Sequence, residues 1–372
     1  GSHESSPDLR VVCSRSKDGG QTWSPIIAID EPKYKNMTPS LGFPLVSRTG
    51  RIYCLYNQHL GYGSGGLYSS PLRVKYSDDD GHTWISSGVD IKWRHTRFDH
   101  PDPKVHPTGV VWQQPIRDAK DRMIVGFTRW SSPMVFPRPI GGNRNHGDSG
   151  IEFMRFDNID EGPHPKDLKI TWLPDEVGTV RVSPNIEPEH SRGYSLAQEP
   201  GLTLLPDGRL FTTMRTVTGY IWYTVSDDHG HSWRPTKPLL YRDNGPKVEH
   251  PKSPEPLYRL SDGRYLLVFH NHSGYRDGAT GPWDMDGRRP MYITVGEFRP
   301  NAQQPLWFSE PKFLFDTQKV VCGVTKLWWL AMYASLTEKN GERTFWYADR
   351  KQFVLGKKIS DSMLADMTVP QP

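Results

Sequence analysis

Short runs of apolar residues alternate with turns along most of the chain, and neighbouring runs form pairs. Each pair is an apolar strand, a short turn that carries Asp-Gly, Thr-Gly or Asp-Arg, and a second apolar strand. The pairs occupy residues 44–57, 115–129, 200–215 and 256–271. This pattern is typical of β-hairpins, and no long stretch shows the apolar periodicity of a helix. The sequence therefore predicts an all-β protein.

A second pattern, S-x-D-x-G-x-[ST]-W, occurs at residues 16–23, 77–84 and 226–233. The copy at 77–84 contains three consecutive aspartates, so a metal loop and a cluster of catalytic acids are both conceivable. Its repetition favours a structural turn, in which Asp accepts backbone hydrogen bonds, Gly takes a positive φ and Trp packs between sheets. We therefore expect these aspartates to have neither a catalytic nor a metal-binding role.

A further strand follows three of the hairpins, at residues 71–76, 219–225 and 289–295. Four strands per unit, repeated at intervals of about 40 residues or more, are the sequence signature of a β-propeller. The units fall at 8–30, 41–93, 107–175, 196–241, 253–316 and 325–358. This count predicts a six-bladed β-propeller formed by a single domain, residues 1–372. Its first blade is expected to be incomplete at the N-terminus, where Gly1, Ser2 and His3 are either a tag remnant or part of a native loop.

Composition excludes some classes of function. The 372 residues carry a net charge of +4, and Lys and Arg are scattered, which argues against nucleic-acid binding. No apolar run is long enough to span a membrane. Cys13, Cys54 and Cys322 lie far apart in apolar, strand-like runs, so we expect buried free thiols. Neither a metal site nor a cofactor is predicted.

The chemistry of a propeller is expected where its inner strands meet the central axis. In an antiparallel hairpin, the residue before the first strand and the last residue of the second strand are neighbours. This rule gives three neighbouring pairs: Glu199 with Arg215, Glu255 with His270, and Gln114 with Arg129. Acids and arginines gathered at one axial mouth favour a substrate-binding site, although salt bridges at the rim are the alternative.

The stretch SLAQEPGLTLLPDGRLFTTMR (195–215) and the three S-x-D-x-G-x-[ST]-W boxes resemble the sialidase (neuraminidase) superfamily, whose fold is a six-bladed propeller with Asp-box repeats. The resemblance implies that Glu199 is a general base and that Arg215 is one of three arginines that clamp the substrate carboxylate. It also implies that DGRRPMYITV supplies a second clamp arginine, Arg288 or Arg289. The stretch LAMYASL would supply the nucleophile, Tyr333.

The resemblance is incomplete near the N-terminus. The family's first clamp arginine has no counterpart in this sequence. The family's acid/base aspartate could correspond only to Glu4 or Asp8, and neither matches its motif well. We therefore include Glu4 and Asp8 among the candidate catalytic residues.

Together these residues imply an exo-acting glycoside hydrolase that releases a terminal anionic sugar with retention of configuration. Guanidinium groups bind a carboxylate bidentately. A neutral tyrosine, deprotonated by a neighbouring glutamate, can attack a carbon that bears a carboxylate without the repulsion that a carboxylate nucleophile would meet. An acidic glycan as substrate, no cofactor, a monomeric state and an extracellular or periplasmic location go with this expectation.

Two alternatives remain open. Histidine-rich stretches at 94–106 and 269–277 favour a polysaccharide lyase or a rhamnosidase-like propeller acting on uronic-acid glycans, in which His or Tyr moves a proton. The candidate residues for that chemistry are His100, His106, His270, His272 and Tyr275. The second alternative is a propeller that binds glycans without catalysis, which an empty acid/base position would favour.

Overall fold

The structure is a computed structural model that describes residues 8–32, 37–59, 69–111, 113–136, 148–175, 178–182, 195–276, 278–324 and 326–371. Within these ranges the chain forms 23 β-strands, and the predicted all-β class is confirmed. The same ranges contain 3₁₀ helices at Ile159–Glu161, Pro165–Asp167 and Met285–Gly287, and one α-helix, α1, at Asp361–Leu364. None of these helices is long and apolar enough to cross a membrane.

The strands form successive antiparallel sheets, and each larger sheet is named here after one of its inner strands. The two-stranded sheet contains β1 (Val11–Cys13) and β2 (Ile27–Asp30). The β3 sheet contains β3 (Pro39–Val46), β4 (Ile52–Gln58), β5 (Leu72–Ser77) and β6 (Val89–Ile91). The β9 sheet contains β7 (Thr108–Val110), β8 (Ile116–Arg117), β9 (Met123–Trp130), β10 (Ser149–Phe156) and β11 (Ile170–Leu173).

Three further sheets follow along the chain. The β12 sheet contains β12 (Gln198–Leu204), β13 (Leu210–Arg215), β14 (Trp222–Ser226) and β15 (Lys237–Pro238). The β16 sheet contains β16 (Leu257–Arg259), β17 (Tyr265–Phe269), β18 (Met291–Phe298), β19 (Leu306–Phe308) and β20 (Lys312–Phe315). The β21 sheet contains β21 (Ala331–Lys339), β22 (Glu342–Asp349) and β23 (Phe353–Lys358).

Each sheet packs against the next one in the chain through a shared apolar cluster. The clusters bring together residues of successive sheets, such as Val11 with Tyr56, Leu55 with Phe127, Phe153 with Leu210, Phe211 with Tyr265, and Ile293 with Phe345. Alternate strand residues point to opposite faces, so each of the four middle sheets contributes to two clusters, one on either side. Successive antiparallel sheets stacked face to face in this way form a β-propeller.

The propeller has five sheets of three to five strands, in addition to the two-stranded sheet, in the part of the chain that the structure describes. The hairpins at 44–57, 200–215 and 256–271 correspond to β3–β4, β12–β13 and β16–β17. These five sheets coincide with the five larger units predicted from the sequence, at 41–93, 107–175, 196–241, 253–316 and 325–358. The six-blade count and the incomplete first blade stay predictions.

The S-x-D-x-G-x-[ST]-W segments are structural turns, as predicted. In the copy between β5 and β6, Asp79 Oδ1 accepts from the Thr83 N–H at 2.8 Å and Asp79 Oδ2 accepts from the Thr83 hydroxyl at 2.7 Å. The Gly81 N–H donates to Ser77 Oγ at 2.9 Å, and Gly81 takes a φ of +76°. These hydrogen bonds hold the pKa of the Asp79 carboxyl well below its usual range. The same bonds occur around Asp18 and Asp228.

The tryptophans of these turns pack between sheets. The Trp23 ring contacts Trp346 of β22 edge-on at 5.6 Å, and the Trp233 ring stacks on Phe153 of β10 at 4.6 Å. Trp84 packs against the cluster shared by the two-stranded sheet and the β3 sheet. The turns therefore stabilise the contacts between neighbouring sheets.

The three cysteines are free thiols. Cys54 is buried, whereas Cys13 and Cys322 are partly exposed, so the prediction of burial holds for Cys54 alone. Burial raises the pKa of the Cys54 thiol to about 12, which keeps it protonated.

Candidate active site

The first strand of the β12 sheet begins with an irregularity at Glu199. Gln198 pairs with Arg215, and the register then shifts before Gly201. Glu199 has a φ of +51°, a left-handed conformation that is uncommon for residues other than glycine. Its N–H donates to the Thr128 hydroxyl of β9 at 2.8 Å. Bulges of this kind change the direction of a side chain, and they are frequent next to active sites.

Glu199 and Arg215 form a buried ion pair. Arg215 Nη1 lies 2.7 Å from Glu199 Oε1, and Arg215 Nη2 donates to the side-chain oxygen of Gln198. The Arg215 and Glu199 side chains are 7% and 1% exposed. The prediction that these two residues are neighbours is confirmed.

Tyr333 of β21 reaches the same carboxylate from another sheet. Its phenol OH donates to Glu199 Oε1 at 3.2 Å, although the two residues are 134 positions apart in the chain. The register between β21 and β22 shifts between Ala331 and Ser335, on either side of Tyr333. A phenol therefore faces a carboxylate that could accept its proton.

Arg288 joins this group from the loop that precedes β18. Its charge interacts with those of Tyr333, Arg215 and Glu199, and its Nε donates to the Lys252 carbonyl oxygen at 2.8 Å. The Arg288 Cζ also lies 5.2 Å from the Trp329 ring centroid. We call Glu199, Arg215, Arg288 and Tyr333 the Glu199 cluster.

Arg289, the other candidate for the second clamp arginine, has a different partner. Its Nε donates to Asp316 Oδ1 at 2.9 Å, and its Nη2 pairs with Asp316 Oδ2. The Arg289 carbonyl oxygen lies 2.9 Å from His272 Nε2. Of the two adjacent arginines, Arg288 is therefore the member of the Glu199 cluster.

Burial dominates the electrostatics of the cluster. It raises the pKa of Glu199, while the charges of Arg215 and Arg288 act in the opposite direction. It also raises the pKa of Tyr333, with a further contribution from the charge of Glu199, and the two arginines again oppose the shift. Burial lowers the pKa of Arg288. Strongly perturbed groups that face one another in this way are a common feature of catalytic sites.

Lys252 is a further basic residue of the site that the sequence analysis did not find. Lys252 is 4% exposed, and its charge interacts with those of Arg215, Arg288 and Glu199. Burial lowers its pKa well below the ordinary value, and both arginines add to that shift. Three buried basic groups therefore surround one carboxylate.

Glu255 and His270 were predicted to be neighbours, but the described contacts link His270 to other residues. His270 Nδ1 lies 2.8 Å from the Pro290 carbonyl oxygen and His270 Nε2 lies 3.1 Å from Ser253 Oγ. Burial lowers the pKa of His270 well below its usual range. His270 is therefore a neutral side chain with both ring nitrogens occupied. Glu255 is fully buried, and its carboxyl lies close enough to Glu199 for that charge to raise its pKa.

The predicted pairing of Gln114 with Arg129 is wrong, because two short strands, β7 and β8, share β9. Arg129 lies opposite Gly109 in the ladder. Its guanidinium is fully buried and binds Asp99 and Glu152, with Nε 2.5 Å from Glu152 Oε1 and Nη1 2.9 Å from Asp99 Oδ1. This network occupies Arg129, so its predicted role in substrate binding has no support from its contacts.

Gln114 belongs to a different part of the molecule. Its Oε1 accepts from the Leu336 N–H at 3.1 Å, which links the start of β8 to β21 across the chain. Both residues line a cavity of about 300 Å³ among inner strands, with residues of β12 and β16 as its other walls. No residue of the Glu199 cluster lines this cavity.

None of the hydrogen bonds described for the remaining predicted residues involves the Glu199 cluster. Glu4 lies outside the described residues, and Asp8 is exposed in the turn before β1. His100 Nδ1 accepts from the Asp102 N–H at 3.0 Å, and the Ser69 hydroxyl donates to the His106 carbonyl oxygen at 2.6 Å. His272 Nδ1 accepts from the Gly274 N–H at 3.1 Å, and Tyr275 is 59% exposed. Within the described ranges, no group of three His, Cys, Asp or Glu side chains could hold a metal ion.

Comparisons with known proteins agree with the fold. The family described as BNR repeat-like domain matches residues 1–341. The Hadza microbial sialidase Hz136 matches with 17% identity and a TM-score of 0.58, over 95% of this chain and 60% of that chain. The intramolecular trans-sialidase from Ruminococcus gnavus matches with 14% identity and a TM-score of 0.60, over 99% of this chain and 91% of that chain.

An α-L-arabinanase from Penicillium chrysogenum also matches, with 12% identity and a TM-score of 0.51, over 97% of this chain and 87% of that chain. A search of the curated proteins found no match. Because the identities are low, the structural likenesses establish the fold alone.

Proposed function

The chain belongs to the family of BNR repeat-like domains, and we propose that it is a glycoside hydrolase of the sialidase type. In this proposal it releases a terminal anionic sugar from a glycan with retention of configuration. The observation that carries the proposal is the contact between the Tyr333 phenol and the Glu199 carboxylate, at 3.2 Å, beside two buried arginines. Two structural relatives are named as a sialidase and a trans-sialidase, which agrees with this choice of reaction.

Tyr333 is the proposed nucleophile and Glu199 its general base. Glu199 takes the phenol proton as the Tyr333 oxygen forms a bond to the anomeric carbon and the bond to the leaving oxygen breaks. An acid must protonate that leaving oxygen, and we assign this step to Glu4 or Asp8 on the family resemblance. Water then attacks the anomeric carbon and gives a proton to the deprotonated acid, while the Tyr333 oxygen leaves and takes its proton back from Glu199, which gives net retention.

Arg215 and Arg288 are the proposed carboxylate clamp. A guanidinium offers planar, charged donors that match a carboxylate, and a dry environment strengthens their interaction. The described basic residues of the site are Arg215, Arg288 and Lys252, whereas Glu199 is the carboxylate that interacts with all three. An anionic sugar would supply negative charge to this group of basic residues. We therefore propose an acidic glycan as the substrate.

The test is Tyr333→Phe, assayed with the para-nitrophenyl α-glycoside of N-acetylneuraminic acid. Turnover should disappear because no phenol remains to form the bond. Binding of oseltamivir carboxylate, followed by calorimetry, should persist because the arginines are unchanged. Tyr258→Phe is the matched control: Tyr258 is a buried inner-strand tyrosine whose OH has no hydrogen-bond partner among the described residues.

Three results would overturn the proposal. Full activity of Tyr333→Phe would remove Tyr333 from the mechanism. Binding without turnover by the wild-type protein, on sialylated and uronate substrates alike, would indicate a glycan-binding propeller. A product with an ultraviolet-absorbing double bond would indicate a lyase instead.

We further propose that the two-stranded sheet is part of a sixth blade. It contacts the β21 sheet through Trp23 and Trp346 at 5.6 Å, and it packs on the β3 sheet through Val11 and Tyr56. A unit that touches both sheets occupies the place at which a ring of blades would close.

A monomeric state and an extracellular or periplasmic location complete the proposal. Light scattering tests the oligomeric state, and cell fractionation tests the location.

A further inference from the structure

A lysine lies against the ring of the proposed nucleophile. Lys351 is in the turn between β22 and β23, and its Nζ is 5.6 Å from the centroid of the Tyr333 ring. The same Nζ is 5.4 Å from the centroid of the Trp329 ring, which also contacts Arg288. An ammonium group within about 6 Å of an aromatic centroid is attracted to the face of the ring.

The backbone of this turn is unusual. Arg350 and Lys351 have φ values of +49° and +55°, in the left-handed region that non-glycine residues seldom adopt. Such conformations persist where the surrounding structure imposes them, and they are frequent at functional sites. The turn therefore holds the Lys351 side chain in a defined place instead of leaving it free at the surface.

We propose that Lys351 is a positioning residue for Tyr333, and that its ammonium group stabilises the negative charge that develops on the phenol as Glu199 takes the proton. This inference is based on the proposed function of Tyr333. A phenolate spreads negative charge into its ring, so a cation on that ring attracts the phenolate more strongly than the neutral phenol. Lys351 would then favour proton transfer without touching the substrate.

The charge state of Lys351 sets the pH range of this effect. Burial lowers the pKa of Lys351 to about 8, so the ammonium form is present below that pH and is lost above it. Among the described contacts, the charged groups beyond the two rings are Arg288, which lies over Trp329, and Glu199, which is hydrogen-bonded to Tyr333. On its own turn, Arg350 pairs with Asp349.

The first test does not depend on activity. The protein is produced with a fluorinated tyrosine, because ring fluorines lower the phenol pKa and so oppose the rise that burial causes at Tyr333, and each phenol is titrated by fluorine NMR. Loss of one signal in Tyr333→Phe assigns the Tyr333 resonance. Lys351→Met should raise the Tyr333 titration midpoint by roughly one pH unit, and Lys351→Arg should not. Equal midpoints in the wild type and Lys351→Met would overturn the inference.

The second test uses turnover of the para-nitrophenyl sialoside. Lys351→Met should lower kcat by roughly tenfold at pH 7 with little change in KM. Lys351→Arg should retain most activity and move the alkaline fall of the rate to higher pH, because its charge persists. Lys358→Met is the control, since Lys358 is an exposed residue of β23 paired with Glu342. Wild-type kcat in Lys351→Met would contradict the inference.

The two tests separate the inference from the proposed function. A wild-type protein without turnover would refute the hydrolase proposal, yet the fluorine titration would still decide whether Lys351 stabilises the Tyr333 phenolate. An active wild type with an unshifted titration would refute the role of Lys351 alone.

Discussion

Replacing Glu255 by Gln should make the protein more stable at neutral pH. Glu255 is fully buried, and neither of its carboxyl oxygens has a hydrogen-bond partner among the described residues. Burial and the neighbouring charge of Glu199 raise its pKa well above the ordinary value, whereas Arg215 opposes the shift only in part. This shift favours the protonated, neutral form of the carboxyl in the folded protein. Gln has nearly the same shape and is neutral at every pH.

The magnitude follows from proton linkage. Above pH 4.5, the ordinary value for this group, the unfolded chain loses the Glu255 proton while the folded chain keeps it. The folded state then binds more protons than the unfolded state, so the wild-type free energy of unfolding falls as the pH rises. One retained proton corresponds to about 1.4 kcal/mol for each pH unit over which the folded chain alone keeps it. Glu255→Gln removes this loss.

The assay is urea unfolding of the wild type and Glu255→Gln between about pH 5 and pH 7. The difference in unfolding free energy should grow in favour of the variant by about 1.4 kcal/mol per pH unit. Glu249→Gln is the control, because Glu249 also precedes β16 but is exposed, and its difference should stay flat. A pH-independent difference for Glu255→Gln would show that Glu255 is ionised in the folded protein, and the reasoning would fail.

Two further predictions test the choice of Arg288 over its neighbour Arg289 and the structural role of Asp79. Arg288→Met should weaken binding of oseltamivir carboxylate by roughly tenfold to hundredfold, whereas Arg289→Met should chiefly lower the urea midpoint, because it leaves Asp316 unpaired. Calorimetry and unfolding measure the two effects, and equal losses of binding would contradict the choice of Arg288. Asp79→Asn should lower the urea midpoint and leave kcat unchanged, because Asp79 holds a turn. A loss of kcat at unchanged stability would indicate a catalytic acid instead.

The hairpins could be predicted because their signals are local. Apolar alternation and turn residues lie within about fifteen positions of one another, and antiparallel pairing then relates the two ends of each hairpin. Glu199 and Arg215 follow this rule, because Gln198, the residue before Glu199, pairs with Arg215 in the ladder. Arg129 did not, because β7 and β8 both pair with β9 and place Gly109 opposite Arg129.

Other parts of the site carry no local signal. Arg288 and Arg289 are adjacent, and only the path of the chain after Met285–Gly287 decides which of them meets Tyr333. Lys252 and Lys351 look like ordinary lysines in the sequence. Their burial and their contacts come from segments far apart in the chain, so a pattern in one segment could not indicate them.

The charges of the site suggest why the proposed reaction would need more than the two arginines. Arg215 and Arg288 favour ionisation of Tyr333 in the free protein, because both oppose the upward shift of its pKa. When a substrate carboxylate binds to these arginines, it neutralises part of the field that favours the phenolate. Lys351 contacts the ring of Tyr333 rather than its OH. A carboxylate bound to the arginines therefore does not neutralise the charge of Lys351. In the proposed mechanism, separate cations for binding and for nucleophile activation would let an anionic substrate bind without suppressing the nucleophile that attacks it.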